Sequence, residues 1–316
     1  MRKRAFTVTI LLFIIILVAG CGGQIDEPQQ GNVPDINPNA QAANKDTANV
    51  TLYFSYQGEP LLAGETRAID VPVSDTLETA VVRALIEGPT SDELEGLFWP
   101  GVTLVGVDEN ANHIFITLSE EFVSTLPEQE VELDGLAADE QKKLAIYSIV
   151  NTIIEMGQYS RVQIYVAKQG DVGQIITRSE AGWGDDESRL EPLERDSSFI
   201  LTPKNTLLEA LSSFAIKDWT RLYTFTALTN IDGSKKPDIS DFSEALAAKG
   251  NVLESFDVVD QNVSSDGQTA VVMLDYSLKT REGKLVQQSN IPIVLVREND
   301  IWKLTYSSLV NVLINV

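Results

Sequence analysis

The sequence predicts an α+β fold with two folded units, and three observations lead to this class. Short runs of β-forming or alternating residues make up most of the chain after residue 50. The segments with helical spacing are too few to cover both faces of a parallel sheet, which favours sheets with helices packed on one side. A chain of 316 residues with 43 % hydrophobic residues is long enough for about two cores.

The charge and the composition exclude several classes of protein. The chain has 46 Asp and Glu residues against 24 Lys and Arg residues, a net charge of −22. This balance argues against binding to phosphate backbones, which needs clustered basic residues. One Cys and one His exclude a disulfide framework, a Cys-based zinc site and a pair of catalytic histidines. We therefore expect no nucleic-acid partner, no metal and no cofactor.

The first 21 residues have the pattern of an export signal. Basic residues at positions 2–4 precede an apolar stretch over 6–17, as is typical of signal peptides. Residues 17–21 read Leu-Val-Ala-Gly-Cys and resemble the bacterial lipobox. The resemblance implies cleavage before Cys21, acylation of its thiol, with palmitate among the chains, and a location on the extracytoplasmic face of the cell membrane. The alternative is a membrane-spanning anchor, for which the uncharged stretch is short of the roughly 20 residues required.

Residues 22–49 predict a disordered tether between this anchor and the folded units. The segment is rich in Gly, Gln, Asn and Pro and has almost no large apolar side chain, so it cannot form a core. A flexible chain of this length has a reach of about 30 Å. Loss of the signal and its three basic residues would change the net charge from −22 to −25. We expect such a body to be repelled by anionic lipid.

The first folded unit is predicted over residues 50–168. Two paired strands are expected over 50–56 and 61–71, followed by a helix. Asp75 and Glu78 form a capping box at the start of this helix, and Gly88-Pro89 marks its end. The remaining predictions are a hairpin with strands 103–107 and 114–118, a helix over 139–156 and a strand over 161–166. This order predicts one sheet covered by one helical layer.

Four segments of this unit resemble the GerMN domain family. They are residues 85–89, 97–104, 116–122 and 146–152, of which the Gly-Pro and Pro-Gly pairs in the first two are the most specific. The resemblance implies a non-catalytic, extracytoplasmic module of bacterial envelope lipoproteins. It also implies a link to sporulation and spore germination, and action by packing of surfaces against partners.

A charged stretch over 169–198 predicts a linker or an exposed excursion, and the second folded unit follows over 199–316. We expect the helices of this unit to come before its strands in the chain. Turn-forming residues separate the later extended segments, and these turns predict an antiparallel meander. The predicted elements are a helix over 207–223 capped by Thr206, a helix over 242–248 ending at Gly250, and strands over 253–262, 269–280, 285–297 and 301–309.

Helices followed by a curved meander resemble the α+β cone of the nuclear-transport-factor-two-like, or cystatin-like, superfamily. Residues 217–223 and 294–304 carry this resemblance. The superfamily contains enzymes and non-enzymes, so the likeness alone does not assign an activity. One alternative that it leaves open is a sensor that binds a small ligand inside the cone.

The residues offer little support for catalysis. His113, beside the predicted hairpin tip, is the one histidine available as a base near neutral pH. The open enzymatic alternative is a peptidoglycan hydrolase with Glu120 and Glu121 as paired carboxylates. A calcium loop beginning at Asp108 fails, because His113 stands where the EF-hand needs Gly and Ser119 stands where it needs Glu.

The sequence therefore predicts a non-catalytic, lipid-anchored envelope protein whose partners are envelope proteins or peptidoglycan. The loop over 94–102 contains Phe98 and Trp99, which we take as a candidate contact patch. The alternative is that both rings close the end of the first core.

Overall fold

The computed structural model describes residues 46–124, 136–168 and 173–315 and confirms the α+β class. The described residues belong to one compact unit. For convenience we divide them into a first lobe, residues 46–198, and a second lobe, residues 199–315.

The first lobe places its helices between two sheets, whereas the sequence predicts one. One sheet has the order β2-β1-β3, and the other has the order β4-β5-β6-β7, in which β5 and β6 are parallel. The elements are β1 Asp46–Tyr56, β2 Leu62–Val71, α1 Leu77–Glu87, β3 Leu94–Glu95, β4 Leu104–Asn110, β5 His113–Ser119, α2 Ala138–Glu155, β6 Arg161–Ala167 and β7 Gln174–Ile175, with a 3₁₀ turn at Glu120–Phe122.

Helix α2 shows why two sheets form. It packs against β1 of the first sheet and β6 of the second, and every residue from Leu144 to Ile153 is buried. A helix that is covered around its whole circumference needs neighbours on opposite sides. Its polar residues Ser148 and Thr152 are buried because they bond the backbone of Tyr53 in β1, at 2.6 Å and 3.2 Å.

The start of α1 differs from the prediction by one residue. Thr76, not Asp75, caps the helix and accepts a hydrogen bond from the backbone N–H of Thr79 at 3.2 Å. Asp75 instead forms an ion pair with Arg83, in the second turn of the helix. The predicted end is confirmed, because Gly88 caps the helix with φ 98°, a conformation that other residues rarely adopt.

The described part of the predicted linker, residues 173–198, packs against the first lobe. Ile176, Ala181 and Leu190 are buried, and Leu193 exchanges two backbone hydrogen bonds with Val162 of β6. The segment is charged where it faces solvent, but its few apolar residues contact α2 and β6. The domain boundaries themselves stay a prediction.

The second lobe is an antiparallel meander with helices packed on it, as the turn residues predict. The sheet order is β8-β9-β10-β11, and all its neighbours are antiparallel. The elements are α3 Pro203–Ile216, α4 Trp219–Thr224, α5 Ile239–Lys249, β8 Val252–Val263, β9 Thr269–Lys279, β10 Leu285–Glu298, β11 Ile301–Leu304 and α6 Tyr306–Leu313, with a 3₁₀ turn at Ser197–Phe199.

Three details of this lobe correct the predictions. The cap of α3 is Thr202, which accepts from Asn205 N at 3.2 Å, and Thr206 is buried inside the helix. Lys217 has left-handed backbone angles and separates α3 from α4, so the predicted single helix is two helices. The strand predicted to run to residue 309 ends early, because Thr305 caps α6.

Side chains fill the inside of the second lobe. The cavity enclosed between α3, α6 and the sheet measures about 10 Å³, roughly the space that a single water molecule needs. Its lining residues are Leu207, Leu211, Leu274, Ile293, Leu304, Ser308, Leu309, Val312 and Leu313. This cavity is too small for an organic ligand.

Candidate contact site

The two lobes meet through a network of ion pairs centred on Arg221 in α4. Its guanidinium donates to both carboxylate oxygens of Glu59 in the first lobe, at 2.7 Å and 2.6 Å, and to Glu209 at 2.5 Å. Ser213 accepts a further bond at 3.0 Å. These acceptors, Glu59 before Glu209, raise the pKa of Arg221 above its ordinary value although burial lowers it. The bidentate geometry fixes α4 relative to the turn after β1.

A second ion pair also joins the lobes. Lys303 in β11 is buried and pairs with Glu93, which also accepts from Asn299 Nδ2 at 2.7 Å. Burial raises the pKa of Glu93, but the bonds from Lys303 and Asn299 outweigh it and hold this pKa below the ordinary 4.5. The pair therefore stabilises the fold above about pH 4.5, and this contribution is lost as the pH falls through the lowered pKa.

Apolar contacts continue across the same junction. Tyr56 of β1 is fully buried, packs against Phe225 with ring centroids 5.8 Å apart, and donates to the Thr224 carbonyl at 2.8 Å. Leu201 N donates to the Leu62 carbonyl at 2.8 Å, which joins the start of the second lobe to β2. The buried residues of both lobes form one contiguous cluster. The lobes are thus held as a single body.

The loop between α4 and α5, residues 225–238, borders this junction, and we call it the contact loop. Lys236 donates from Nζ to the carbonyls of Tyr223 and Thr226, at 2.9 Å and 2.6 Å. Burial, followed by the nearby charge of Lys303, lowers the pKa of Lys236 to about 8. Lys236 therefore ties the end of the loop to the end of α4.

Two further contacts fix the rest of the contact loop. The Glu298 carboxylate accepts from the backbone N–H groups of Leu228 and Thr229, at 2.9 Å and 3.1 Å. The Asn230 side chain accepts from Ser307 N at 2.9 Å. The first half of the loop is thus bonded to β10 and α6.

This rigid loop exposes two large apolar side chains. Leu228 is 58 % exposed and Ile231 is 66 % exposed. Apolar side chains held in a fixed conformation lose little entropy on binding, and this property favours contact with another protein. The contact loop is therefore the candidate contact site, although the sequence analysis did not select it. The signal for it is that one large apolar residue precedes the turn-forming run Asn230–Ser234 and another lies within that run.

The predicted patch at Phe98 and Trp99 lies mostly inside the first lobe. Trp99 is 4 % exposed, stacks on Phe122 with centroids 5.2 Å apart and donates from Nε1 to the Glu121 carbonyl at 2.8 Å. Phe98 is partly buried, with its ring 6.3 Å from that of Phe122. This placement favours the alternative in which both rings close the core.

Glu121 lacks the properties of the catalytic acid that the hydrolase alternative requires. The Glu121 side chain is in solvent, and a hydrogen bond from Ser119 lowers its pKa below the ordinary value. A glycosidase needs a carboxyl group whose pKa is raised, so that it is protonated at neutral pH. Glu121 is ionised there and cannot donate the proton. His113 lies at the start of β5, half-buried and opposite Asn110.

The other predicted site residues are placed as follows. Asp108 and Asn110 lie in β4, and Asn112, in the turn, donates to Ser160 Oγ at 2.7 Å. Within residues 46–124, 136–168 and 173–315, no group of three or more His, Cys, Asp or Glu side chains is arranged to hold a metal ion. Cys21 lies outside the described residues, so its acylation stays a prediction. No helix in the described part of the chain is long and apolar enough to cross a bilayer.

Comparison with known proteins supports the assignment of the first lobe. Residues 51–169 match the model of the Germane family, which is described as sporulation and spore germination. No curated protein matches the chain. The resemblance of residues 199–316 to the nuclear-transport-factor-two-like superfamily stays a prediction.

Several solved structures are similar to part of the chain, and two of them are described here. The tandem GerMN domains of the sporulation protein GerM from Bacillus subtilis match with 18 % identity and a TM-score of 0.33, over 50 % of this chain and 50 % of that one. The chain thus covers half of that structure. A lipoprotein structure from Clostridium perfringens matches with 19 % identity and a TM-score of 0.26, over 49 % of this chain and 94 % of that one. The similarity to the Germane family is thus located in residues 51–169 of the first lobe.

Proposed function

We propose that this chain is a non-catalytic lipoprotein of the bacterial envelope that binds another envelope protein through the contact loop. It acts in sporulation, spore germination or envelope assembly, and lipid on Cys21 holds it at the extracytoplasmic face of the membrane. The observation that carries this proposal is the exposure of Leu228 and Ile231 on a loop that is bonded to β10, to α6 and to the end of α4.

Three further observations support this function. Residues 51–169 of the first lobe match the Germane model, which is described as sporulation and spore germination. The cavity between α3, α6 and the second-lobe sheet, about 10 Å³, is too small to hold the ligand of a small-molecule sensor. The carboxyl groups of the described residues whose pKa departs clearly from its ordinary value all shift downward, which does not suit acid catalysis. They are Glu65, Glu93, Glu121, Glu180, Asp186, Asp232 and Asp266.

The anchor is tested by the substitution Cys21→Ala in bacterial cells. We expect the wild-type protein to partition into the detergent phase and to carry diacylglyceryl and fatty acyl mass on its N-terminal peptide. We expect the variant to lose both properties, because Cys21 is the one thiol in the chain. The measurement is phase partition followed by mass spectrometry of the N-terminal peptide.

The matched control is Gly23→Ala, which changes a nearby residue and leaves the thiol. It should partition and be modified like the wild type. Recovery of the wild-type protein from the cytosol, or of an acylated Cys21→Ala variant, would refute the lipid anchor.

A further inference from the structure

The edge of β1 that faces away from β2 is open over most of its length. β1 pairs with β2 from Asp46 to Ser55, whereas β3 pairs on the other side only with Ser55 and Tyr56. Among the described residues, no strand therefore lies beside residues 46–53 on this side. A groove of about 280 Å³ lies at this open edge. Its lining residues are Ala48, Asn49, Val50 and Thr51 of β1, Leu77 of α1, and Thr152, Glu155, Met156 and Gln158 at or just after the end of α2.

The strand register shows which backbone groups of β1 point toward this groove. Thr66 of β2, which lies opposite Thr51, donates its N–H away from β1, to Asp300 Oδ2 at 2.8 Å. Opposite residues of an antiparallel pair either exchange both backbone bonds or exchange none, and the two kinds of pair alternate. Thr51 therefore directs its N–H and C=O away from β2, and Asn49 and Thr47 do the same.

Helix α2 takes the place of a neighbouring strand at Tyr53. Ser148 Oγ donates to the Tyr53 carbonyl at 2.6 Å, and the Tyr53 N–H donates to Thr152 Oγ1 at 3.2 Å. The helix ends at Glu155, and within the described ranges no side chain bonds the backbone of Thr51 or Asn49 in the same way. These two residues thus present N–H and C=O groups about 7 Å apart along the strand, the spacing that an added strand bonds.

The open edge of β1 also lacks the features that protect other strand edges. Residues 47–51 read Thr-Ala-Asn-Val-Thr, without charge or Pro, and their register with β2 has no bulge. By contrast, bulges interrupt the edge strands β4 and β8, and Leu201 of the second lobe bonds the outer edge of β2. A regular, uncharged and unpaired edge is a template for pairing with another chain.

The charge of the groove indicates the chemistry of such a strand. Glu155, whose side chain is 38 % exposed, is one of its lining residues, and none of the lining residues is Lys or Arg. The carbonyl end of α2 adds partial negative charge at the same place. Arg195 bonds Glu155 Oε2 at 3.1 Å from outside the lining. A second copy of this chain has the same net charge of −22, and its repulsion argues against pairing of two β1 edges.

We propose that the open edge of β1 binds a basic, extended segment of another protein as an added strand. The backbone of that segment bonds the N–H and C=O groups of Asn49 and Thr51, and one of its Lys or Arg side chains lies beside Glu155. This surface belongs to the first lobe, so the inference goes beyond the proposed function and does not rest on the contact loop.

The edge is tested with the purified full chain and a fluorescein-labelled peptide, Lys-Thr-Val-Thr-Val-Thr-Val-Thr-Lys, by fluorescence anisotropy. We expect saturable binding. N-methylation of one alternate set of peptide amides should weaken binding about tenfold, and N-methylation of the other set should not, because only one edge of the added strand bonds β1. The same peptide with Glu in place of both Lys residues should also bind about tenfold more weakly.

Asn49→Pro removes an N–H that points into the groove, and we expect it to weaken peptide binding about tenfold without a large loss of melting temperature, because Pro is tolerated where the N–H faces away from the sheet. The matched control is Ala68→Pro. Ala68 lies opposite Asn49 in the register, so its N–H points from the far edge of the same sheet. This variant should bind the peptide like the wild type.

Melting curves show which variants are folded; if Asn49→Pro is not, Glu155→Gln, which removes the charge and keeps the shape, decides the matter by weaker binding of the basic peptide. Absence of saturable binding, equal binding of the basic and acidic peptides, or equal losses in Asn49→Pro and Ala68→Pro would overturn the proposal. Self-association of the wild type that Asn49→Pro abolishes would also overturn it and would assign the edge to a second copy.

Discussion

Replacing Phe98 and Trp99 together by alanine is expected to lower the melting temperature by about 10 °C. Trp99 is 4 % exposed and stacks on Phe122, so its truncation leaves a cavity at the end of the first core. Truncation of a buried aromatic ring costs about 3–5 kcal/mol, and each kcal/mol lowers the melting temperature of a body of this size by about 2–4 °C. The measurement is thermal unfolding followed by circular dichroism.

The control for this substitution is Val73→Ala, which truncates an apolar side chain that is 85 % exposed. It should change the melting temperature by about 1 °C or less, because exposed positions contribute little. If Phe98→Ala with Trp99→Ala melts like the wild type, the rings are not part of the core, and the original contact-patch hypothesis regains its basis.

The substitution Arg221→Met is expected to reduce the free energy of unfolding by about 3 kcal/mol. It leaves the carboxylates of Glu59 and Glu209 partly buried without their cation, and removal of one partner from a buried ion pair costs about 3–5 kcal/mol. We use the lower end of that range because the Arg221 and Glu59 side chains are 24 % and 13 % exposed. Urea unfolding measures the loss, and both lobes should unfold in one transition.

The matched control is Arg161→Met, whose partner Glu194 lies in solvent. These side chains are 48 % and 65 % exposed, and such pairs contribute less than about 1 kcal/mol. Adding Glu59→Gln to Arg221→Met should recover part of the stability, because it removes the unpaired charge. Equal losses for Arg221→Met and Arg161→Met, or separate unfolding of the two lobes in the wild type, would contradict a single body held by the junction.

The parts of the fold that the sequence predicts correctly depend on local chemistry. Gly88 ends α1, and Gly250 ends α5, where positive φ angles of 98° and 62° require or favour glycine. The meander of the second lobe follows from turns such as Asp266-Gly267, which join strands of the expected length. In these cases the residues that decide the structure are neighbours in the sequence.

The parts that it does not predict depend on residues distant in the sequence. The bidentate contact between Glu59 and Arg221 joins residues 162 positions apart, and nothing in either local sequence indicates the other. The predicted linker is rich in charge, and its packing depends on a few residues such as Leu190 that meet β6 and α2. The second sheet of the first lobe likewise depends on how α2 is covered. Composition alone does not reveal such contacts.

The candidate contact site was missed for a related reason. Leu228 and Ile231 stand in a sequence of turn formers, which predicts an ordinary surface loop. The loop becomes a candidate only when Glu298, Lys236 and Asn230 are seen to fix its conformation. Exposed apolar residues on a flexible loop would be weaker evidence for a contact site.

The central claim, that this protein acts by binding a partner through the contact loop, is tested most directly by photo-crosslinking in intact cells. A benzophenone amino acid is placed in turn at Leu228, Ile231 and Val73, the last being an exposed control in the first lobe. We predict cross-linked products of the same defined mass from Leu228 and Ile231, and none of that mass from Val73. Identical products from all three positions, or none from the contact loop, would contradict the account.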